Sequence, residues 1–433
     1  MSVIRCNKIA LLYKLLELVR LDYVEVLIIV PRILQALLSA YADLRFYNWS
    51  AQHKWAAFNI AVSWFWFYTA SRTLINTLET SLTTIALSYF PWPGQEKGNN
   101  HFLWLVALLC TVRPTACIPW LPLCAFHILT TQENRKNVIL KEYLPIGLVT
   151  LLLSVLVDSL CHGGFVVTSW QFLKLNVFHS VGNWYGTQPW HWYLSNGLPA
   201  ILGIQILPFM FAAVRTVRNR EIFSTNWILL VTIAFTVLVY SVLPHKEFRF
   251  ILPVLPMALY VSSDFITRWS YKANNVLLWF VAAVLFVSNI VPAWYLGMVH
   301  QRGTLDVMSP LAKIAADNPR NTSILFLMPC HSTPLYSHLH VNVTTRFLTC
   351  EPDLTNTPNY KDEADMFYDQ PNKWLHTHYP PNGTLPTHIV TFDTVVPTIT
   401  SILSRYKPTH RFFHTTVPTS TKVGHFVIIH ELV

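Results

Sequence analysis

The sequence predicts a polytopic α-helical membrane protein of about ten spans, followed by a small α/β domain outside the bilayer. Three observations predict it. Of the 433 residues, 52% are hydrophobic and 12% charged, with a mean hydropathy of +0.37; a soluble domain is roughly one quarter charged. The 16 Trp and 18 Tyr suit aromatic belts at two lipid–water interfaces. After about residue 300 the apolar runs give way to mixed, turn-rich sequence. The net charge of +9 is spread over loops. Nucleic-acid binding would need a basic stripe, so the charge is read as cytosolic loops.

Residues 1–23 open the chain. The spacing of Ile9, Leu12, Leu15, Leu16 and Val19 reads as an amphipathic interfacial helix. Lys14, Glu17 and Arg20 break its apolar stretch, so it does not read as a signal peptide. Apolar windows then fall at 24–44, 55–70, 76–90, 102–113, 116–129, 143–160, 195–214, 226–243, 251–266 and 276–297. Several are shorter than the usual span of about 20 residues. Pro119, Pro122, Pro253 and Pro256 lie inside or beside them, as expected of broken helices around a protein-lined cavity. The multi-span region thus covers 24–299 and the C-terminal domain 300–433. In the latter, "NTSILFLMPC", "THIVTFDT" and "KVGHFVIIHELV" read as strands.

Two independent signals set the orientation. N-x-S/T sequons at Asn321, Asn342 and Asn382 place the tail in an extracytosolic compartment, as glycosylation sites. Walking back from there, the cytosolic ends receive Arg268 and Lys272, then Arg215, Arg218 and Arg220, then Arg135, Lys136 and Lys141, which is the positive-inside pattern. Ten spans with a lumenal tail also require a lumenal N-terminus. The chain therefore behaves as one that lacks a preceding span.

Ionisable groups at the lumenal face are the functional candidates, because charge is costly at membrane depth. Arg72 and Glu79 flank "SRTLINTLET". Arg113 stands in "TVRPTA", and His191 lies between Trp190 and Trp192. His245, Lys246, Glu247 and Arg249 crowd the segment "SVLPHKEFRFILPVLP". Arg, Lys and His together suit a phosphate, whose oxygens take charge-assisted hydrogen bonds; Glu247 could orient a neighbouring cation or bind a sugar hydroxyl. A solvated turn with snorkelling Lys and Arg is the blander reading, and His191 between two tryptophans is more often an interfacial anchor. Cys330, His331, His338 and His340 look like metal ligands, but no second pair has zinc-like spacing, so no metal is expected. Cys330 and Cys350 are a disulfide candidate in the tail.

The segment "HKEFRF" resembles the H-K-E-x-R-F signature of the polytopic endoplasmic-reticulum mannosyltransferases of glycosyltransferase family 22. "LIIVPRILQALLSAYADLRFY", "SRTLINTLETSLTTIALSYF", "RPTA", "PWHWYLSNGLPAILG", "HQRGTLDVM", "LMPCHSTPLYSHLH", "EPDL" and "DEADMFYDQPNKWLH" are similar to the branch acting on the glycosylphosphatidylinositol precursor. The resemblance implies a GT-C-like fold in the endoplasmic-reticulum membrane. It implies an inverting transfer from dolichyl-phosphate mannose to the GPI glycolipid precursor, as its third mannose, with no cofactor and no nucleic acid. Lys246, Arg249 and Arg113 would hold the leaving phosphate, with His245, Glu247, Arg72 and His191 in the same donor site.

The family also carries a first helix and a first lumenal loop with an Asp-Glu pair that supplies the catalytic carboxylate. Asp22 and Glu25 do not match that motif. No base is assigned, and little or no activity is expected from the chain as written. The alternatives are a sister transferase of lipid-linked N-glycan assembly, an inactive or scaffolding form, and a transporter or flippase. The last predicts internal symmetry between halves, which the sequence lacks.

Overall fold

The computed structural model describes residues 3–94, 100–179, 181–353, 357, 360–380 and 383–433. It divides into two compact units, one of Met1–Arg20 with Ile29–Ala293, the other of Leu21–Ile28 with Trp294–Val433. Helices in the first are α1 (Val3–Leu18), α2 (Val24–Trp49, reaching across the boundary), α3 (Lys54–Val62), α4 (Trp64–Ala70), α5 (Ile75–Tyr89), α6 (His101–Val112) and α7 (Cys117–Thr130). There follow α8 (Arg135–Val138), α9 (Leu144–His162), α10 (Thr168–Leu173), α11 (Leu198–Leu202), α12 (Ile206–Arg218), α13 (Thr225–Val242), α14 (Leu255–Ser270) and α15 (Asn275–Trp294).

Six helical runs among the described residues are long and apolar enough to cross a membrane: Val24–Trp49, Arg135–His162, Tyr193–Arg218, Thr225–Val242, Phe248–Ser270 and Asn275–Asp317. His101–Val112 and Pro114–Thr130 are shorter apolar helices. The molecule is therefore a polytopic helical membrane protein. The stripe expected on the first helix does not share one environment, since Leu16 is buried while Leu15 and Val19 are exposed.

The predicted window 55–70 is two helices. Ser63 leaves helical dihedrals (φ −58°, ψ 110°), and the freed amide of Trp64 donates to Asn289 Oδ1 at 3.2 Å. A break at membrane depth is tolerated where protein satisfies the backbone in this way. The window 76–90 is α5, and it is unusual: seven of its ten buried residues are polar, among them Asn76, Thr77, Glu79 and Ser81. Hydrogen bonds fix it to its neighbours. Thr77 Oγ1 donates to the Thr69 carbonyl at 3.1 Å, and Ser39 of α2 lies 3.2 Å from Ser81 Oγ. Pro253 sits in a 3-10 helix, Phe248–Val254, and Pro256 in the first turn of α14, where its missing N–H costs nothing.

The second unit is a three-layer α/β domain. Its sheet has the order β2-β1-β3-β5-β4, with β1 Ser323–Leu327, β2 Thr344–Phe347, β3 His388–Phe392, β4 Tyr406–Phe413 and β5 Phe426–Leu432. β1 runs parallel to β2 and β3, and β5 is antiparallel to β3 and β4. The period of two in "SILFL" explains its double burial. Ile324 and Phe326 enter one core with Met308 and Leu311; Leu325 and Leu327 enter the other with Phe367 and Trp374. The three predicted strands are β1, β3 and β5. The sequence reading missed β2 and β4; β4 carries Pro408 beside a register shift, which an edge strand tolerates.

Candidate functional site

The "HKEFRF" segment leaves the end of α13 and folds into the 3-10 helix before α14, so short backbone loops hold its charges at one end of the helix bundle. His245 Nδ1 lies 2.8 Å from the Gly186 carbonyl and Nε2 lies 3.1 Å from Glu247 Oε1. Glu247 in turn accepts from Arg249, with Nε at 2.5 Å from Oε2 and Nη2 at 2.7 Å from Oε1, a bidentate fork. Burial pushes the Glu247 carboxyl up, but the bonds from Arg249 and His245 outweigh it and hold it below the usual carboxylate range. The Arg249 side chain remains 47% exposed.

Lys246 points the other way. Its ammonium is buried and donates to the Gln188 carbonyl at 3.1 Å and the Leu243 carbonyl at 2.5 Å. Burial lowers its pKa from the ordinary lysine value. Two of its three donors are thus spent on backbone, and it ties the loop 181–192 to the signature segment. Gln188 N–H returns a bond to the Pro244 carbonyl at 2.9 Å. Gly182 fits closely as well, because a Cβ there would lie 3.3 Å from His245 Cβ. Tyr193 closes the frame: its hydroxyl is 3.3 Å from both the N–H and the carbonyl of Glu247.

Phe250 is the hub. Its ring centroid lies 6.0 Å from the Arg249 guanidinium, 5.7 Å from that of Arg113 and 5.8 Å from the His245 ring. One aromatic ring is therefore flanked by three cationic or cation-capable groups, within the usual cation–π range of about 6 Å. Arg113 is buried beside Glu79, with Nη1 at 3.2 Å from Oε2 and side-chain exposures of 8% and 2%. Its Nε donates to Thr115 Oγ1 at 2.8 Å. A guanidinium at this depth needs such a carboxylate, since the unpaired charge would be strongly destabilising.

The structure thus brings His245, Glu247, Arg249 and Arg113 together around Phe250, with Lys246 beneath the loop. Arg72 is elsewhere in its contacts: its Nε donates to the Tyr68 carbonyl at 2.9 Å and its guanidinium stacks 3.8 Å over the Tyr68 ring. His191 is exposed, with Ser195 Oγ 3.4 Å from Nδ1. Its neighbour Trp192 instead packs on Phe248 at 4.7 Å. Sequence reasoning did not assign Phe250, Gly186, Gln188, Tyr193 or Asn76. All but Phe250 meet the signature across tens of residues of chain, and Phe250 reads as one more apolar residue of a membrane chain.

In the second unit, Cys330 and Cys350 form a disulfide. His331 offers a ring nitrogen within 4.8 Å of both sulfurs, but sulfurs bonded to each other are not thiolate ligands. Asn321 and Asn342 are exposed; Asn382 lies outside the described residues.

Residues 2–340 match the model of the Alg9-like mannosyltransferase family. GPI mannosyltransferase 3 of Drosophila melanogaster is 49% identical over 415 residues, covering 94% of this chain and 73% of that protein. GPI alpha-1,2-mannosyltransferase 3 of Homo sapiens is 44% identical over 436 residues, covering 98% and 76%. The crystal structure of ArnT from Cupriavidus metallidurans bound to undecaprenyl phosphate shares the fold, with a TM-score of 0.52 at 11% identity over 93% of this chain and 83% of that one. From its matched residues and from relatives that align over nearly all of it, the chain belongs to the Alg9-like mannosyltransferase family.

Proposed function

We propose that this mannosyltransferase adds the third mannose to the GPI-anchor precursor, taking it from dolichyl-phosphate mannose at the lumenal face of the endoplasmic-reticulum membrane. The observation that carries the reading is the cation-flanked Phe250 ring at one end of the bundle, in a chain 44% identical to the human GPI alpha-1,2-mannosyltransferase 3. The ArnT relative of like fold was crystallised with a polyprenyl phosphate, the chemical class of leaving group that the proposal requires. Ten spans, a lumenal tail and glycans on Asn321, Asn342 and Asn382 belong to the same reading.

In the transfer, an acceptor hydroxyl attacks the sugar carbon as the phosphate departs, and negative charge grows on the phosphate oxygens. A fixed guanidinium near those oxygens stabilises that charge more in the transition state than in the ground state. Arg249 is the cation of the cluster with the most exposed side chain, and Glu247 fixes the plane of its fork. Arg113 adds field from a buried position, and Lys246 with His245 holds the loop in register. A carboxylate must accept the acceptor proton. Glu79 and Glu247 are each engaged by a guanidinium, which suits them to positioning.

The test is transfer of labelled mannose from dolichyl-phosphate mannose to a two-mannose GPI acceptor in membranes, alongside rescue of cells blocked at that step. In a chain joined to the family's Asp-Glu loop, the proposal expects labelled three-mannose product and restored surface display of GPI-anchored proteins. Rescue of cells blocked in lipid-linked N-glycan assembly, with no GPI product, would overturn it.

A further inference from the structure

A packing helix in a membrane protein has no need of seven buried polar residues. On α5 two of them converge on the site. Asn76 Nδ2 donates to the backbone carbonyl of Arg249 at 2.8 Å. Glu79, three residues on, forms an ion pair with Arg113, Oε2 lying 3.2 Å from Nη1. Residues three apart share a helix face, so a single turn of α5 grips both guanidinium-bearing segments that flank Phe250. Each of the two side chains is 2% exposed, and α5 is itself bonded to Thr69 and to Ser39 of α2.

We infer that this turn of α5 is the positioning element of the phosphate site, with Asn76 setting the backbone at Arg249 and Glu79 setting the guanidinium of Arg113. Asn76 and Glu79 touch no substrate in this assignment; they act through the two arginines. The inference rests on the reading that the arginines hold the donor's phosphate. The fork from Glu247 fixes the Arg249 side chain within the segment, but it does not tie the backbone of Arg249 to the rest of the bundle. A bond from a buried amide does so, and it requires a donor at that position. Asp, which has the same shape, presents an oxygen to an oxygen.

The experiment is equilibrium binding of dolichyl phosphate to the full chain in nanodiscs, which needs no turnover. Wild type is compared with Asn76→Asp, Arg249→Ala and the double variant; Asn76→Ala stands in should the Asp variant not fold, as judged by its melting temperature. The expected result is about tenfold weaker binding for Asn76→Asp, the scale of one hydrogen bond's worth of positioning. The double variant should bind no more weakly than Arg249→Ala alone, since a residue that acts through Arg249 has nothing left to act on. Additive losses, or wild-type affinity in Asn76→Asp while Arg249→Ala is weak, would overturn the inference and leave the phosphate reading standing. Wild-type affinity in Arg249→Ala would overturn both.

Discussion

Two helices of this molecule invert each other. α9 buries two of its 19 residues, Ser154 and Asp158, and turns its leucines outward. α5 buries ten of its 15, most of them polar. The same inversion separates longer runs: 11% of the apolar window of Arg135–His162 is buried against 78% of that of Phe248–Ser270. With lipid as solvent, an apolar surface needs no partner, and a polar side chain does. The most hydrophobic helices are therefore the least engaged in the protein. A helix of much weaker apolar signature, α5, carries two contacts to the site.

That contrast can be broken by substitution. The largest effect is expected from Glu79→Ala, which strips Arg113 of its buried carboxylate and should lower stability by about 3–5 kcal/mol; thermal unfolding in nanodiscs measures it. A loss below roughly 1 kcal/mol would mean that Arg113 finds water or another acceptor. Next comes Arg249→Ala, which in a chain joined to the family's Asp-Glu loop should cut kcat/KM for mannosyl transfer by about ten- to a hundredfold, the worth of a hydrogen bond to a charged group, with little change in melting temperature. Equal activity would remove Arg249 from the site.

The third prediction sharpens the comparison in the other unit, where burial acts on histidines of an α/β fold. Burial lowers the pKa of His388, against the charge of Glu431, and that of His430. Burial and then the charge of His300 lower that of His414, against Asp393. A histidine whose pKa is lower folded than unfolded binds its proton more readily in the unfolded chain, so stability rises with pH. These three contributions are complete above about pH 6.5 and are lost as pH falls through the folded values. Protection factors of the amides in β3 and β5, taken relative to intrinsic exchange at each pH, should therefore fall on acidification from neutrality. Protection that grew on acidification would contradict the sign. The smallest effect is expected at Leu152 of α9, 66% exposed; Leu152→Ala should change stability by less than about 0.5 kcal/mol. A larger loss would mean that this face meets protein.

The same contrast explains what could be read from sequence. Helices rich in apolar residues announce themselves, and α9, α13 and α15 fall within a few residues of the windows 143–160, 226–243 and 276–297. "SILFL", "HIVTF" and "FVIIHEL" were legible as strands because burial on one or both sheet faces demands apolar runs. β4, with Lys407, Pro408, Thr409, His410 and Arg411, has no such demand at the sheet edge. The cluster at 245–249 stood out because charge at a helix border is rare. Its supports did not stand out. The Gly186 and Gln188 carbonyls are backbone atoms with no side-chain signature, and Asn76 is one polar residue in the run "INTLETSLTT". Only folding brings it to Arg249, 173 positions away.

The central claim is that the cations around Phe250 hold the phosphate of a lipid-linked sugar donor. The most direct measurement compares the affinity of the full chain for dolichyl phosphate with its affinity for dolichol, which lacks the phosphate. The account predicts tight binding of the phosphate ester alone, with the difference abolished in Arg249→Ala. Equal affinity for the two lipids in the wild-type chain would contradict it.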